Sequence, residues 1–192
     1  MKKLLFGLLF VASAVLVGLF IGFKAFQSNA NIAAQASGIE NGPWTTSEAY
    51  GDQHADPMLK SAVAMSGLLA LKASETIYFT ASHDDEGMRL VESCNYLITG
   101  RSPRSRWSSI TLYDEDHYLI PNDDKVYSQF LPEPGAEFEF LVSPKRPDSG
   151  AWLASLGGGK LSMTLRIYNP AQVVYENLAS ITLPNITRGA CQ

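Results

Sequence analysis

Trp107-Ser108-Ser109-Ile110-Thr111-Leu112-Tyr113-Asp114 is the stretch whose reading decides the fold. It is rich in β-branched and aromatic residues and alternates with a period of two, the mark of a half-buried strand. Trp107, Ser109, Thr111 and Tyr113 fall on one side as a polar-aromatic row. The same period recurs upstream, where Ile77, Phe79 and Ala81 alternate with Thr76, Tyr78 and Thr80. After a turn at 83–87, a strand returns over Leu90–Thr99, and Glu137–Val142 and Leu161–Tyr168 repeat the pattern downstream. Phe138, Phe140 and Val142, with Leu161, Met163, Leu165 and Ile167, supply apolar sides for a core, while Arg166 and Tyr168 share an opposite face. Many short strands separated by Gly, Pro, Asn and Asp predict a mainly β domain, an antiparallel jelly-roll-like β-sandwich.

Ahead of the strands, Asp56-Pro57 signals a helix start, with Asp as N-cap and Pro at the first helical position. Leu59, Ala62, Met65 and Leu69 recur at helical spacing, which predicts one helix to about Lys72, packed on a sheet. Residues 27–55 are rich in Asn, Ala, Gln, Ser and Gly without an apolar period, and are expected to form a flexible linker to a domain spanning 56–192. Trp44 and Tyr50, near the end of that linker, are expected to pack onto the domain.

The first 26 residues are of another kind. Leu4 to Phe23 is a run of 20 residues without a charge, about 30 Å long as a helix and so matched to a bilayer. The nearest small-residue cleavage pattern, Ala34-Gln35-Ala36, lies a dozen residues beyond the run, which favours an uncleaved transmembrane signal anchor over a removed signal peptide. Lys2 and Lys3 precede the span and Lys24 alone follows it, so the N-terminus is expected inside and the C-terminal domain in the periplasm of a bacterial inner membrane. Ala14, Gly18 and Gly22 lie four apart on one helix face, the spacing that lets two spans approach as a homodimer, although small residues are also common in spans that never pair.

Composition narrows the partners. The 192 residues carry a net charge of −4, and beyond Lys24 the chain holds 12 basic and 19 acidic residues, a balance of −7. A mildly acidic domain without a concentrated basic face argues against nucleic acid.

Several segments resemble one bacterial family. Tyr78-Phe79-Thr80-Ala81, Cys94-Asn95-Tyr96 with Gly100, the strand at 107–114, Ile120-Pro121-Asn122, Trp152-Leu153 and Leu165-Arg166-Ile167-Tyr168-Asn169-Pro170 are similar to the domain-of-unknown-function 1214 family in its short, membrane-anchored form. The resemblance implies a jelly-roll-like sandwich over about residues 55–190 and implies no activity. The sequence departs from longer members in lacking their companion N-terminal domain and in having Pro134-Gly135-Ala136 where they carry an Asp-Gly-Ser turn.

The chemistry on offer is sparse. In an oxidising periplasm Cys94 and Cys191 favour a disulfide, the alternatives being a buried free Cys94 and an intermolecular bridge at the tail. Two cysteines and three scattered histidines, His54, His83 and His117, make no zinc set, so no metal or cofactor is expected. Neither a G-x-S-x-G elbow nor H-E-x-x-H occurs, and Gly157-Gly158-Gly159-Lys160 lacks the Ser/Thr of a phosphate loop. Arg101, Arg104 and Arg106 crowd one loop and offer a clamp for carboxylate or phosphate. Together with Trp107, Tyr113, Arg166 and Tyr168 they are the candidate ligand-binding residues, expected on a shallow polar-aromatic surface. The reading is a binding or envelope-interaction module; the alternative is an enzyme acting on an envelope carbohydrate or small polar substrate.

Overall fold

The structure is a computed structural model and describes residues 2–66 and 68–191. Two sheets enclose one core. The strands are β1 (Ile39–Asn41), β2 (Trp44–Thr46), β3 (Thr76–Ala81), β4 (Cys94–Arg101), β5 (Ser105–Tyr113), β6 (Ser128–Phe130), β7 (Glu137–Ser143), β8 (Trp152–Ala154), β9 (Ser162–Pro170) and β10 (Asn185–Cys191). The larger sheet runs β1-β2-β3-β9-β5-β6 and the smaller β10-β4-β7-β8. Pairings are antiparallel except β7 with β8, which is parallel. Strand alternation makes the core: Ile77 and Phe79, Ile110 and Leu112, and Met163, Leu165 and Ile167 from the larger sheet meet Tyr96, Ile98, Phe140, Val142 and Ile186 from the smaller. Phe138 is half-buried at its edge.

The helices depart from expectation. α1 (Lys2–Ala36) does not stop where the apolar run ends, because residues 24–36 are Ala-rich and free of Gly and Pro. From Phe6 to Phe23 its large apolar side chains are 55–75% exposed. Beyond Lys24 it changes character: Ala30 is wholly buried, and Phe26, Gln27, Ala33 and Ala34 are half-buried where α2 (Pro57–Met65) packs on it. The expected flexible linker at 27–55 is therefore helix to Ala36, followed by β1 and β2. An alanine face suffices for close helix packing but leaves no strong apolar period to read. Trp44 does join the domain, fully buried with its Nε1 donating to the Pro184 carbonyl at 2.8 Å.

α2 itself starts as read. Asp56 Oδ1 accepts from the Met58 and Leu59 backbone N–H groups, with Pro57 at the first helical position. It ends at Met65 rather than near Lys72, and Leu69 is 94% exposed. Among the described residues its principal neighbour is α1 rather than a sheet. We expect Asp56→Ala to cost about 1 kcal/mol through the lost cap, measured by thermal unfolding; an unchanged midpoint would count against the cap.

The chain past α2 returns over the outer face of the larger sheet. The Leu71 N–H donates to the Tyr78 hydroxyl at 3.1 Å. Gly51, at φ +73°, lies so close to the Leu71 backbone that a Cβ there would collide with it. These contacts fix the segment that overlies the candidate site.

At the other end, β10 closes the smaller sheet against β4, and Cys191 is bonded to Cys94. Between Arg188 and Cys191 the register shifts, and Arg188 turns inward. Its Nε donates to Asp84 Oδ2 at 2.5 Å, one guanidinium N–H reaches the Arg89 carbonyl at 2.6 Å, and the group lies 5.3 Å from the Tyr96 ring centroid. Asp84 is thereby spoken for. Burial pushes its carboxyl up, but the hydrogen bonds from Arg188, Met88 and Glu86 and the Arg188 charge outweigh burial and hold it below the ordinary value.

Candidate functional site

Antiparallel register decides which side chains share a face. On the outer side of the larger sheet, Trp107 of β5 stands opposite Tyr168 of β9, which stands opposite Thr76 of β3. The next row is Ser109, Arg166 and Tyr78, and the row after it Thr111, Thr164 and Thr80. β6 extends the face, setting Phe130 opposite Ser109 and Ser128 opposite Thr111. The ring of Trp107 lies 4.5 Å from that of Tyr168 and 5.4 Å from that of Phe130, centroid to centroid. Trp107 and Phe130 remain 41% and 68% exposed, so the aromatic end of the face is open.

The polar end is organised around Arg166. Its Nη1 donates to Thr111 Oγ1 at 2.9 Å and its Nη2 to the Tyr113 hydroxyl at 2.5 Å. Thr111 Oγ1 is in turn 2.7 Å from Ser128 Oγ, and Thr80 Oγ1 is 3.3 Å from Thr164 Oγ1. Among the described residues no carboxylate lies within ion-pair distance of Arg166, whereas Arg101, Arg146 and Arg188 each have one. Burial pushes the Tyr168 hydroxyl above its ordinary value; the nearby Arg166 charge opposes this, and Tyr78 and Tyr113 add to it. A cavity of about 70 Å³ opens beside the guanidinium, walled by Thr80, Tyr113, Ser162, Thr164 and His117, with Ser66 and Leu68 above.

Trp107, Tyr113, Arg166 and Tyr168 thus lie on one face of the larger sheet. The arginine loop is arranged differently. Arg101 ends β4 in the smaller sheet and is paired with Glu137 at 2.6 Å. Arg101 and Arg104 line one open groove, but Arg106, exposed at the start of β5, does not line it. No three-arginine clamp forms there. Phe130, Tyr78, Thr164 and His117 complete the face. Phe130 was beyond sequence reading, since β6 is three residues long and its partner is set by register alone. His117 stands at the hairpin tip with φ +66°, a left-handed conformation uncommon outside glycine. Its neighbour Asp114 caps its own turn, accepting from Asp116 and Tyr118 N–H groups at 3.0 and 2.8 Å.

The family model described as "Protein of unknown function (DUF1214)" matches residues 75–172, from the start of β3 to the beginning of α3 (Gln172–Tyr175). The chain belongs to the DUF1214 family. All three central strands of the candidate face, β3, β5 and β9, lie within the matched region, while α1 and α2 precede it. No curated protein matches the chain. Among solved structures, the VPA0106 protein from Vibrio parahaemolyticus is similar, with a TM-score of 0.53 and 18% identity over 68% of this chain and 35% of that one. An uncharacterised protein from Burkholderia cenocepacia gives a TM-score of 0.38 at 15% identity, covering 59% of this chain and 29% of its own. The DUF1214 chain described here spans about a third of the length of each. The likeness to the Vibrio protein carries the fold: mainly β, in two sheets.

Proposed function

We propose that this DUF1214 chain is a membrane-tethered, exported binding module of the bacterial envelope, whose ligand lies on the outer face of the larger sheet. The observation that carries the reading is the ordered polar-aromatic face itself. Trp107, Phe130 and Tyr168 offer ring surfaces, and Arg166 offers a cation held only by neutral hydroxyls. Open rings beside fixed hydrogen-bonding groups suit a small polar ligand or the end of a larger one.

The address rests on other features. An apolar helical face from Phe6 to Phe23, exposed on all sides, has the length and composition to cross a bilayer. A disulfide fits an oxidising compartment, and Lys2 and Lys3 ahead of the span favour an N-terminus inside. Ala14, Gly18 and Gly22 lie exposed on α1 and supply a face on which two copies of the span would pair.

Two measurements test this. Protease added to intact spheroplasts is expected to remove the C-terminal domain from membranes; full protection would overturn the orientation. The full chain in detergent, screened for thermal stabilisation against metabolites and cell-wall fragments, is expected to yield a ligand whose effect is lost in Trp107→Ala. Equal stabilisation of wild type and Trp107→Ala by every hit would remove the sheet face as the binding surface. Turnover of a hit would replace the binding reading with an enzymatic one.

A further inference from the structure

The cavity beside Arg166 is lined by a cation and by hydroxyls that can donate. A guanidinium has five N–H donors, and protein partners account for two of those on Arg166. The Tyr113 hydroxyl accepts from Arg166, so its own proton is free to be given away. Thr80 and Thr164 share one proton between their oxygens, so whichever accepts keeps its own proton available. Ser162 and His117 add to the wall, and among the described residues no carboxylate lines the space. Desolvating one side of a guanidinium with only neutral partners leaves its charge uncompensated.

Size and charge then narrow the occupant. A cavity with about 70 Å³ open to water admits a few waters or one small oxyanion. A single guanidinium balances one negative charge and matches the two oxygens of a carboxylate. Phosphate at neutral pH carries more charge than this cavity neutralises. We infer that the Arg166 cavity is a carboxylate-binding site: Arg166 holds the carboxylate oxygens, and Tyr113 with the Thr80–Thr164 pair supplies the remaining hydrogen bonds. The inference rests on the sheet-face reading above and names the ligand chemistry at its polar end. The carboxylate belongs either to a free small acid or to the end of a longer ligand lying over Tyr168 and Trp107.

The test is titration of the full chain in detergent, at constant ionic strength, with acetate, hexanoate, sulfate and inorganic phosphate, followed by calorimetry or by NMR of the labelled acid. Saturable binding of acetate or hexanoate is expected, weakened about tenfold by Arg166→Met and about threefold by Tyr113→Phe, which keeps the ring and removes only the hydroxyl. Equal acetate and hexanoate affinities point to a free small acid; tighter hexanoate binding points to the end of a longer ligand. Failure of both acids to saturate, equal binding by Tyr113→Phe and wild type, or phosphate or sulfate binding as tight as acetate would each overturn the carboxylate assignment. A screened ligand that needs Trp107 but ignores both acetate competition and Arg166→Met would overturn it too, while leaving the sheet-face reading intact.

Discussion

Replacing both Cys94 and Cys191 with serine is expected to lower the stability of the folded domain by about 4 kcal/mol. The two residues are 97 apart in sequence, so the bridge closes a loop that takes in the whole smaller sheet and β5, β6 and β9 of the larger. Restricting a loop of that length in the unfolded chain is worth about 4–5 kcal/mol before any native strain is subtracted. The local structure gives the bond a second role. β10 is an edge strand, and its register with β4 breaks between Arg188 and Cys191, so the bridge ties down the last turn of chain where the ladder is irregular. Urea unfolding of the detergent-solubilised chain, followed by tryptophan fluorescence, is the measurement. A shift below about 1 kcal/mol would show that the reduced chain is already held by β10 pairing.

Arg188→Met is expected to destabilise by about 3–5 kcal/mol, because it strands a buried carboxylate. The Asp84 side chain is 1% exposed and that of Arg188 18% exposed. With Arg188 gone, Asp84 keeps only the backbone N–H groups of Met88 and Glu86, at 2.8 and 3.1 Å. The same substitution also removes the group lying over Tyr96 and 3.3 Å from Cys94 Sγ. The sign with pH follows from the lowered Asp84 value. Its contribution is fully present above the unfolded carboxylate pKa of about 3.9 and is lost as pH falls through the folded value. The stability gap between wild type and Arg188→Met should therefore narrow in acid, once Asp84 is protonated in both. A gap that stays constant from neutral pH to strong acid would assign the loss to packing instead. Adding Asp84→Asn to Arg188→Met should restore part of the loss, since the stranded charge goes with it.

How much of this was legible in the sequence follows from where the physics is local. The period of two in Thr76–Ala81 gave β3 to the residue, because alternation and β-branching act within a single strand. The Asp56-Pro57 start was legible for the same reason, since capping involves only the next three residues. The end of α2 was not. Leu69 keeps the helical spacing, but spacing alone does not say whether a surface is there to bury it. The expected linker failed in the opposite way: Ala30, Ala33 and Ala34 gave no apolar signal, and their packing depends on a second small-residue helix reaching them.

The candidate face divides along the same line. That Trp107, Ser109, Thr111 and Tyr113 share a side follows from alternation, as it does for Arg166 and Tyr168. That the two rows are neighbours follows only from β5 pairing with β9, a contact between residues 49 to 65 apart in sequence. The same pairing places Arg166 against Tyr113 and makes the cavity. The arginine loop shows the converse, because closeness in sequence did not survive when β4 and β5 went to different sheets.

The sequence by itself determined the long apolar helix, the β class and the pairing tendency of Cys94 with Cys191, since each depends on composition, period or count, and its short motifs carried the family resemblance. Only the tertiary structure decided that Arg188 neutralises Asp84, that Arg166 faces neutral hydroxyls, and that residues 27–36 belong to a helix packed on α2. Those facts rest on strand register and on which surfaces meet, and neither is encoded within any one segment.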